Sequence, residues 1–248
     1  MFKLAILFLL PALAVAETWQ PAQFFCLLNT DYSHRPLEGW KNTGEVIGKT
    51  LEAWYPELKK TSPCNNPSQE NAQRFFNDIV ATTENAQIIY LASRQTKNGE
   101  WEDVKGGEWS LESVLPKNTS PHAARIVLLD ACYAEKIAEQ NKWREFAPLV
   151  LYAANKNQLT FELNVGSRQP IDIQKRYPQS YQWLEKNMPS DWNQRISFFG
   201  LMWLEAWLKT PTPPQSKEDW RAFFETAKQV SQEFAEHHPR LASELIFD

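Results

Sequence analysis

Four short, nearly uninterrupted apolar blocks limit what this chain can become: Phe24 to Leu28, Ile88 to Leu91, Ile126 to Leu129 and Leu149 to Ala153. A strand that is apolar at successive positions must be covered on both faces, which is the pattern of parallel strands inside an α/β sandwich. The stretches between the blocks carry helical spacing instead. Ile47, Leu51, Trp54, Tyr55 and Leu58 form one such set; Ala72, Phe75, Phe76, Ile79 and Val80 form the next, behind Ser68 as a cap. A third helix is expected from Tyr133 toward Trp143. This alternation predicts a three-layer α/β sandwich, with a mostly parallel sheet and helices on both faces.

Other segments depart from that rhythm. Asn98 to Trp109, with Gly106-Gly107, reads as a small hairpin or insertion after the Ile88 strand. Leu159, Phe161, Leu163 and Val165 alternate at period two, as in a strand with one solvated face. Phe198, Leu201, Met202, Trp203, Leu204 and Trp207 give a broad apolar helix face, which core packing accounts for. Thr210-Pro211-Thr212-Pro213-Pro214 stops that helix, because proline cannot continue the hydrogen-bond ladder. Ser216 and Asp219 then open a last helix with Trp220, Phe223, Phe224, Ala227, Val230 and Phe234 on one side. The expected division is residues 1–16 as a leader, 17–209 as the α/β domain, 210–216 as a Pro-rich linker and 217–248 as a C-terminal helix and tail.

The leader follows from Lys3, the apolar stretch Leu4 to Leu10, and the small residues Ala14 and Ala16 ahead of a cleavage point before Glu17. Export to the periplasm or medium is therefore expected. The apolar stretch is shorter than the about 20 residues needed to span a bilayer, so no stable membrane insertion is expected after cleavage. A formal charge of −4 without a block of Lys or Arg argues against nucleic acid as a partner, and only 8 Gly against 16 Pro argues against a glycine-rich nucleotide loop. Three cysteines leave one thiol over in an oxidising compartment. One arrangement is a Cys26–Cys64 bridge with Cys132 free; the other is Cys26 as a small buried apolar residue. No His and Cys cluster has the spacing of a metal site, and no cofactor is implied.

In a parallel sheet the chemistry collects at the carboxyl edge, where Asn29 to Arg35, Ser93 to Lys97, Asp130 to Tyr133 and Asn155 to Asn157 would emerge. The segments Phe25-Cys26-Leu27-Leu28-Asn29-Thr30-Asp31-Tyr32, Ile88-Ile89-Tyr90-Leu91-Ala92-Ser93 and Ile126-Val127-Leu128-Leu129-Asp130-Ala131-Cys132-Tyr133-Ala134 resemble strands of the caspase and metacaspase family. Glu162 and Phe198-Phe199-Gly200-Leu201 also sit where that family has comparable features. The resemblance covers residues 22 to 208 in outline and is specific at Asp130-Ala131-Cys132. It implies a caspase-like sheet and Cys132 as the counterpart of the family's nucleophile. A cysteine between a buried strand and a helix start is also a place where backbone amides can stabilise a thiolate and then an oxyanion.

Where the family has its His-Gly pair, this sequence reads Arg94-Gln95. Arg94 keeps its proton and cannot act as a base, and Gln95 replaces a glycine whose bare backbone approaches the oxyanion. Glu135, at a position where the family commonly has glycine, adds a negative charge that opposes thiolate formation. Among the histidines, His122 precedes its strand and belongs to the opposite edge, while His237 and His238 close the last helix. His34 leaves the same edge as Cys132 and is the candidate replacement base; the alternative is an exposed loop histidine. In the metacaspases, acidic residues matching Asp31 and Asp130 help to hold a basic side chain. Here Arg94 is expected to pair with Asp130 or Asp31 and to fill that place, the alternative for Asp130 being a helix cap.

The resemblance and these substitutions lead to an expectation of an exported, catalytically impaired caspase-like peptidase homologue that binds a peptide or protein partner. An active cysteine endopeptidase with Cys132 as nucleophile and a preference for basic residues is the second reading. An envelope protein in which Cys132 is structural is the third.

Overall fold

The computed structural model describes residues 19–32, 36–82, 86–116, 124–139, 141–168, 171–241 and 245–247. The leader at residues 1–16, His34 and His122 lie outside the described residues. The chain opens with β1 (Pro21–Leu28), α1 (Glu38–Trp54), the two-residue strands β2 (Lys59–Lys60) and β3 (Cys64–Asn65), and α2 (Gln69–Ala81). Next come β4 (Ala86–Ser93), a hairpin of β5 (Trp101–Glu102) and β6 (Glu108–Trp109), and β7 (Arg125–Ala131). Two short helices, α3 (Glu135–Ala138) and α4 (Asn141–Phe146), replace the single third helix and lead into β8 (Leu149–Tyr152). β9 (Glu162–Asn164), α5 (Ile173–Arg176), α6 (Pro178–Asn187), β10 (Arg195–Ser197), α7 (Phe198–Lys209), α8 (Lys217–His237) and β11 (Ile246–Phe247) complete it.

Seven strands form the main sheet in the order β11-β8-β7-β4-β1-β2, with β3 also on β1. All pairings are parallel except that of β11 with β8. The four apolar blocks are β1, β4, β7 and β8, and all eight residues of β4 are buried, as a central strand covered on both faces requires. Their side chains divide by parity. Ile88, Tyr90, Ile126 and Leu128 join the core under α1, α7 and α8, whereas Ile89, Leu91, Val127 and Leu129 join the core under α2, α3 and α4. The result is the expected three-layer sandwich.

The alternation also decides the cysteines. Leu27 stands opposite Cys64 in the β1–β3 register, so Cys64 shares the Leu27 face and packs on the α2 core. Cys26, one residue back, points into the other core. A Cys26–Cys64 bridge would have to pass through the sheet, and all three cysteines are free. The expectation of a bridge is corrected, and Cys26 takes its other reading as a small buried residue.

The C-terminal helix docks on the same body. Ser216 Oγ accepts from the Asp219 N–H at 3.1 Å and Asp219 Oδ2 from the Ser216 N–H at 2.9 Å, a reciprocal cap. Trp220, Phe223 and Phe224 are then buried, with Phe223 packing edge-on to Trp203 of α7 at 4.8 Å between ring centroids. The Pro-rich stretch is a tight corner between packed helices: Pro214 is buried and its carbonyl accepts from the Tyr55 hydroxyl at 2.6 Å.

Candidate active site

The register fixes which edge residues meet. Ala92 stands opposite Asp130 and Ser93 opposite Ala131, so Arg94 and Cys132 leave neighbouring strands at the same level. β1 lies two places from β7, with β4 between. Arg94, Gln95 and Cys132 form the floor of a cleft of about 710 Å³. Its walls are Pro36, Leu37 and Trp40 at the start of α1, Glu102 of the hairpin, residues 159–164, and Arg195. The alternation read over Leu159 to Val165 survives as strand pairing only at Glu162–Asn164. Leu159, 57% exposed, lines the cleft instead. β9 pairs with β10 alone, among the described residues.

Cys132 is half-buried, and Sγ donates to the Thr160 carbonyl at 3.8 Å. Burial pushes its thiol up from the usual range. Backbone hydrogen bonds donated to the sulfur at Thr160 and Cys132 lower it, the Asp130 carboxylate adds to the rise, and the Arg94 guanidinium acts against it. The net direction is upward and disfavours the thiolate, the nucleophilic form.

Two of the amides that follow Cys132 are committed elsewhere. Tyr133, with φ at 54°, sits in the left-handed region that non-glycine residues seldom adopt. Its N–H donates to the Gln158 carbonyl at 2.9 Å, and the Glu135 N–H to the Ala154 carbonyl at 3.1 Å. The Glu135 carboxylate accepts from the Lys156 N–H at 2.8 Å. The loop after β8 thus occupies the Tyr133 and Glu135 amides, while backbone hydrogen bonds of Thr160 and Cys132 act on the sulfur.

Asp130 is fully buried and faces the α1 and α7 side of the sheet. Oδ1 accepts from the Trp40 indole N–H at 2.9 Å, and Oδ2 accepts from the Tyr90 hydroxyl at 2.9 Å and the Ser197 hydroxyl at 2.5 Å. Burial is the main cause that pushes this carboxyl up to about 7, with the three hydrogen bonds opposing it. The expected Arg94–Asp130 pair is corrected here, because the carboxylate is held by neutral donors. The Arg94 guanidinium lies over the Tyr32 ring at 4.4 Å from its centroid.

Asp31 is engaged at the end of β1: Asn66 Nδ2 donates to its Oδ2 at 2.6 Å, and Asn66 Oδ1 accepts from the Asp31 N–H at 3.0 Å. The expected Arg94–Asp31 pair is likewise replaced by this latch. Neither Asp31 nor Asp130 lines the cleft. Its acidic residues are Glu102 and Glu162, the latter accepting from the Gly39 N–H at 2.6 Å and lying 3.9 Å from Arg195. Sequence reasoning missed Trp40, Tyr90 and Ser197 as the holders of Asp130. Of these, Ser197 carried a signal, standing immediately before the apolar helix that it caps through the Gly200 N–H at 3.0 Å. His34 lies outside the described residues.

No His, Cys, Asp and Glu group among the described residues is placed to hold a metal ion, and no helix among them is long and apolar enough to cross a membrane. Neither a protein-family model nor a curated protein sequence matches the chain. Among solved structures, a caspase-1 from Spodoptera frugiperda superposes with a TM-score of 0.60 at 11% identity, covering 92% of this chain and 86% of that one. Together with the parallel sheet and its two helical layers, that similarity establishes a caspase-like α/β fold.

Proposed function

We propose that the protein is an exported, catalytically impaired homologue of caspase-like cysteine peptidases, and that the cleft beside Cys132 binds an extended segment of a peptide or protein partner. The carrying observation is the cleft itself: about 710 Å³, with Cys132 and Arg94 on its floor and residues 159–164 along one wall. That wall ends in a strand paired, among the described residues, on one side, to which a peptide can add main-chain hydrogen bonds while its side chains occupy the cavity. Impairment is supported by the burial that raises the Cys132 thiol, the guanidinium at position 94 and the Tyr133 amide bonded to Gln158. Export rests on the sequence of residues 1–16.

The test is to isolate the mature protein, sequence its amino terminus, and titrate it with blocked pentapeptides by calorimetry. Binding that survives Cys132→Ala, with no cleavage product, supports the proposal. Cleavage abolished by Cys132→Ala overturns impairment, and the absence of binding overturns the role of the cleft.

The second reading, an active endopeptidase, rests on the sequence expectation that His34, in the segment after β1, serves as the base for Cys132. Loss of cleavage in both His34→Ala and Cys132→Ala would establish that enzyme.

A further inference from the structure

A second cavity, of about 180 Å³, lies between α1 and the outer edge of β1 and shares no lining residue with the cleft. The strand register opens it. β2 pairs with Gln23 and Phe24, and β3 with Leu27 and Leu28, so among the described residues Phe25 and Cys26 have no strand partner on that edge. The connecting chain runs Thr61-Ser62-Pro63, three residues against the two of β1, and Pro63 has no N–H to give a ladder. A bulge of this kind turns the strand away from its neighbour and leaves space over Cys26.

Alternate residues of β1, Phe24, Cys26 and Leu28, form the floor. Burial pushes the Cys26 thiol far up, so the sulfur belongs to the floor as an uncharged group. Gly44 and Gly48, one turn apart on α1, form the facing wall. A Cβ on Gly48 would stand 3.3 Å from Lys60 Cδ and 3.4 Å from the Phe24 ring, both of them cavity lining, so a side chain at position 48 would occupy the cavity itself. The charges at the mouth are matched: Lys60 lies 2.8 Å from Glu52, and Lys41 precedes Glu45 by one turn of α1.

We propose that this cavity binds a small uncharged molecule whose apolar body is about the size of a benzene ring. The proposal is independent of the peptide-binding reading of the cleft. Apolar cavities of about 150 Å³ take up benzene, so this one admits a ring with one small substituent. The guest removes the floor and itself from water, and the Cys26 sulfur gains an aromatic edge as its neighbour. An anion would meet Glu45 and a cation Lys41, and either would lose hydration against Phe24 and Leu28. The matched lysines and glutamates supply no surplus charge to offset that loss.

The experiment titrates the whole mature protein by calorimetry at neutral pH with para-cresol, para-toluate and para-methylbenzylammonium, which share one ring and differ in charge. One-to-one binding of para-cresol, about ten-fold or more tighter than that of either ion, is expected. Gly48→Leu is expected to abolish it while the thermal midpoint stays level or rises, since leucine fills the cavity and favours helix over glycine. A diazirine-bearing phenol, irradiated on the wild-type protein and mapped by mass spectrometry, locates the site without any variant; labels are expected within residues 24–28, 41–48 or 60–65. Absence of saturable para-cresol binding overturns the proposal, and so does binding that survives in folded Gly48→Leu. Labels in the cleft or elsewhere overturn it as well, and an ion that binds as tightly as para-cresol overturns the assignment to an uncharged molecule.

Discussion

The indole N–H of Trp40 donates to Asp130 Oδ1 at 2.9 Å, joining the first turn of α1 to the strand that delivers Cys132. With Tyr90 from β4 and Ser197 from the start of α7 on the other oxygen, one carboxyl ties four elements together beneath the cleft. A group held this way by neutral donors in a dry core is a pH-dependent part of the fold rather than a contact for ligand.

The folded Asp130 carboxyl titrates at about 7 against an ordinary value of 3.8, with burial as the main cause. Between these values the folded state holds a proton that the unfolded state releases. The contribution of Asp130 to stability is therefore full below about pH 4 and lost progressively as the pH rises toward 7, by about 2–4 kcal/mol at about 1.4 kcal/mol per pH unit. Asp130→Asn, which copies the neutral form, is expected to flatten this slope. Urea unfolding at pH 5 and pH 8 for both proteins checks it, and equal slopes would reject the assignment.

Peptide substrates with Arg or Lys ahead of the scissile bond are expected to be cleaved no faster by the wild-type protein than by Cys132→Ala. Loss of a positioned acid–base group alone costs roughly 10²- to 10⁴-fold. Arg94→His is not expected to restore turnover, because burial still raises the Cys132 thiol and disfavours the thiolate. Fluorogenic peptide assays decide the matter; turnover in Arg94→His that depends on Cys132 would show that one residue silenced the site.

Iodoacetamide without reductant is expected to label Cys64 and Cys132 in the folded protein, and Cys26 only after denaturation, since Cys26 is buried and all three are free. Burial raises the Cys132 thiol, so labelling there should be slower than for an unperturbed thiol at the same pH. Mass spectrometry of the labelled peptides tests the order. A disulfide involving Cys132 would remove any nucleophile role.

Gly200→Ala is expected to destabilise the protein by about 1–3 kcal/mol, as overpacking does in a filled core. A methyl group there would meet the Thr43 side chain, whose hydroxyl donates to the Gly39 carbonyl at 2.8 Å and contacts Ser197 Oγ at 2.9 Å. Thermal or urea unfolding measures the loss. Because Ser197 also holds Asp130, the same variant should alter the pH slope described above.

The strands, their parallel pairing and the two covered faces were readable from the chain because burial on one or both sides writes itself into neighbouring positions. The same local logic located the hairpin at Asn98 to Trp109, the capping box at Ser216 and the end of α7 before the prolines. It also brought Arg94 and Cys132 to one edge, since both follow strands that run the same way.

Pairing of polar groups was not readable in that way. Asp130 takes its hydrogen bonds from residues 90, 40 and 67 positions away, and no spacing in the sequence distinguishes those donors from a nearby guanidinium. Whether Cys26 can reach Cys64 depends on which side of β1 each faces once β3 has chosen its register. The commitment of the Tyr133 amide to Gln158 likewise appears only when the loop after β8 folds back. Apolar periodicity is a property of consecutive residues and fixes the layers. The partner of each buried polar group is a property of which distant segments arrive beside it, and that was decided by the packed tertiary structure alone.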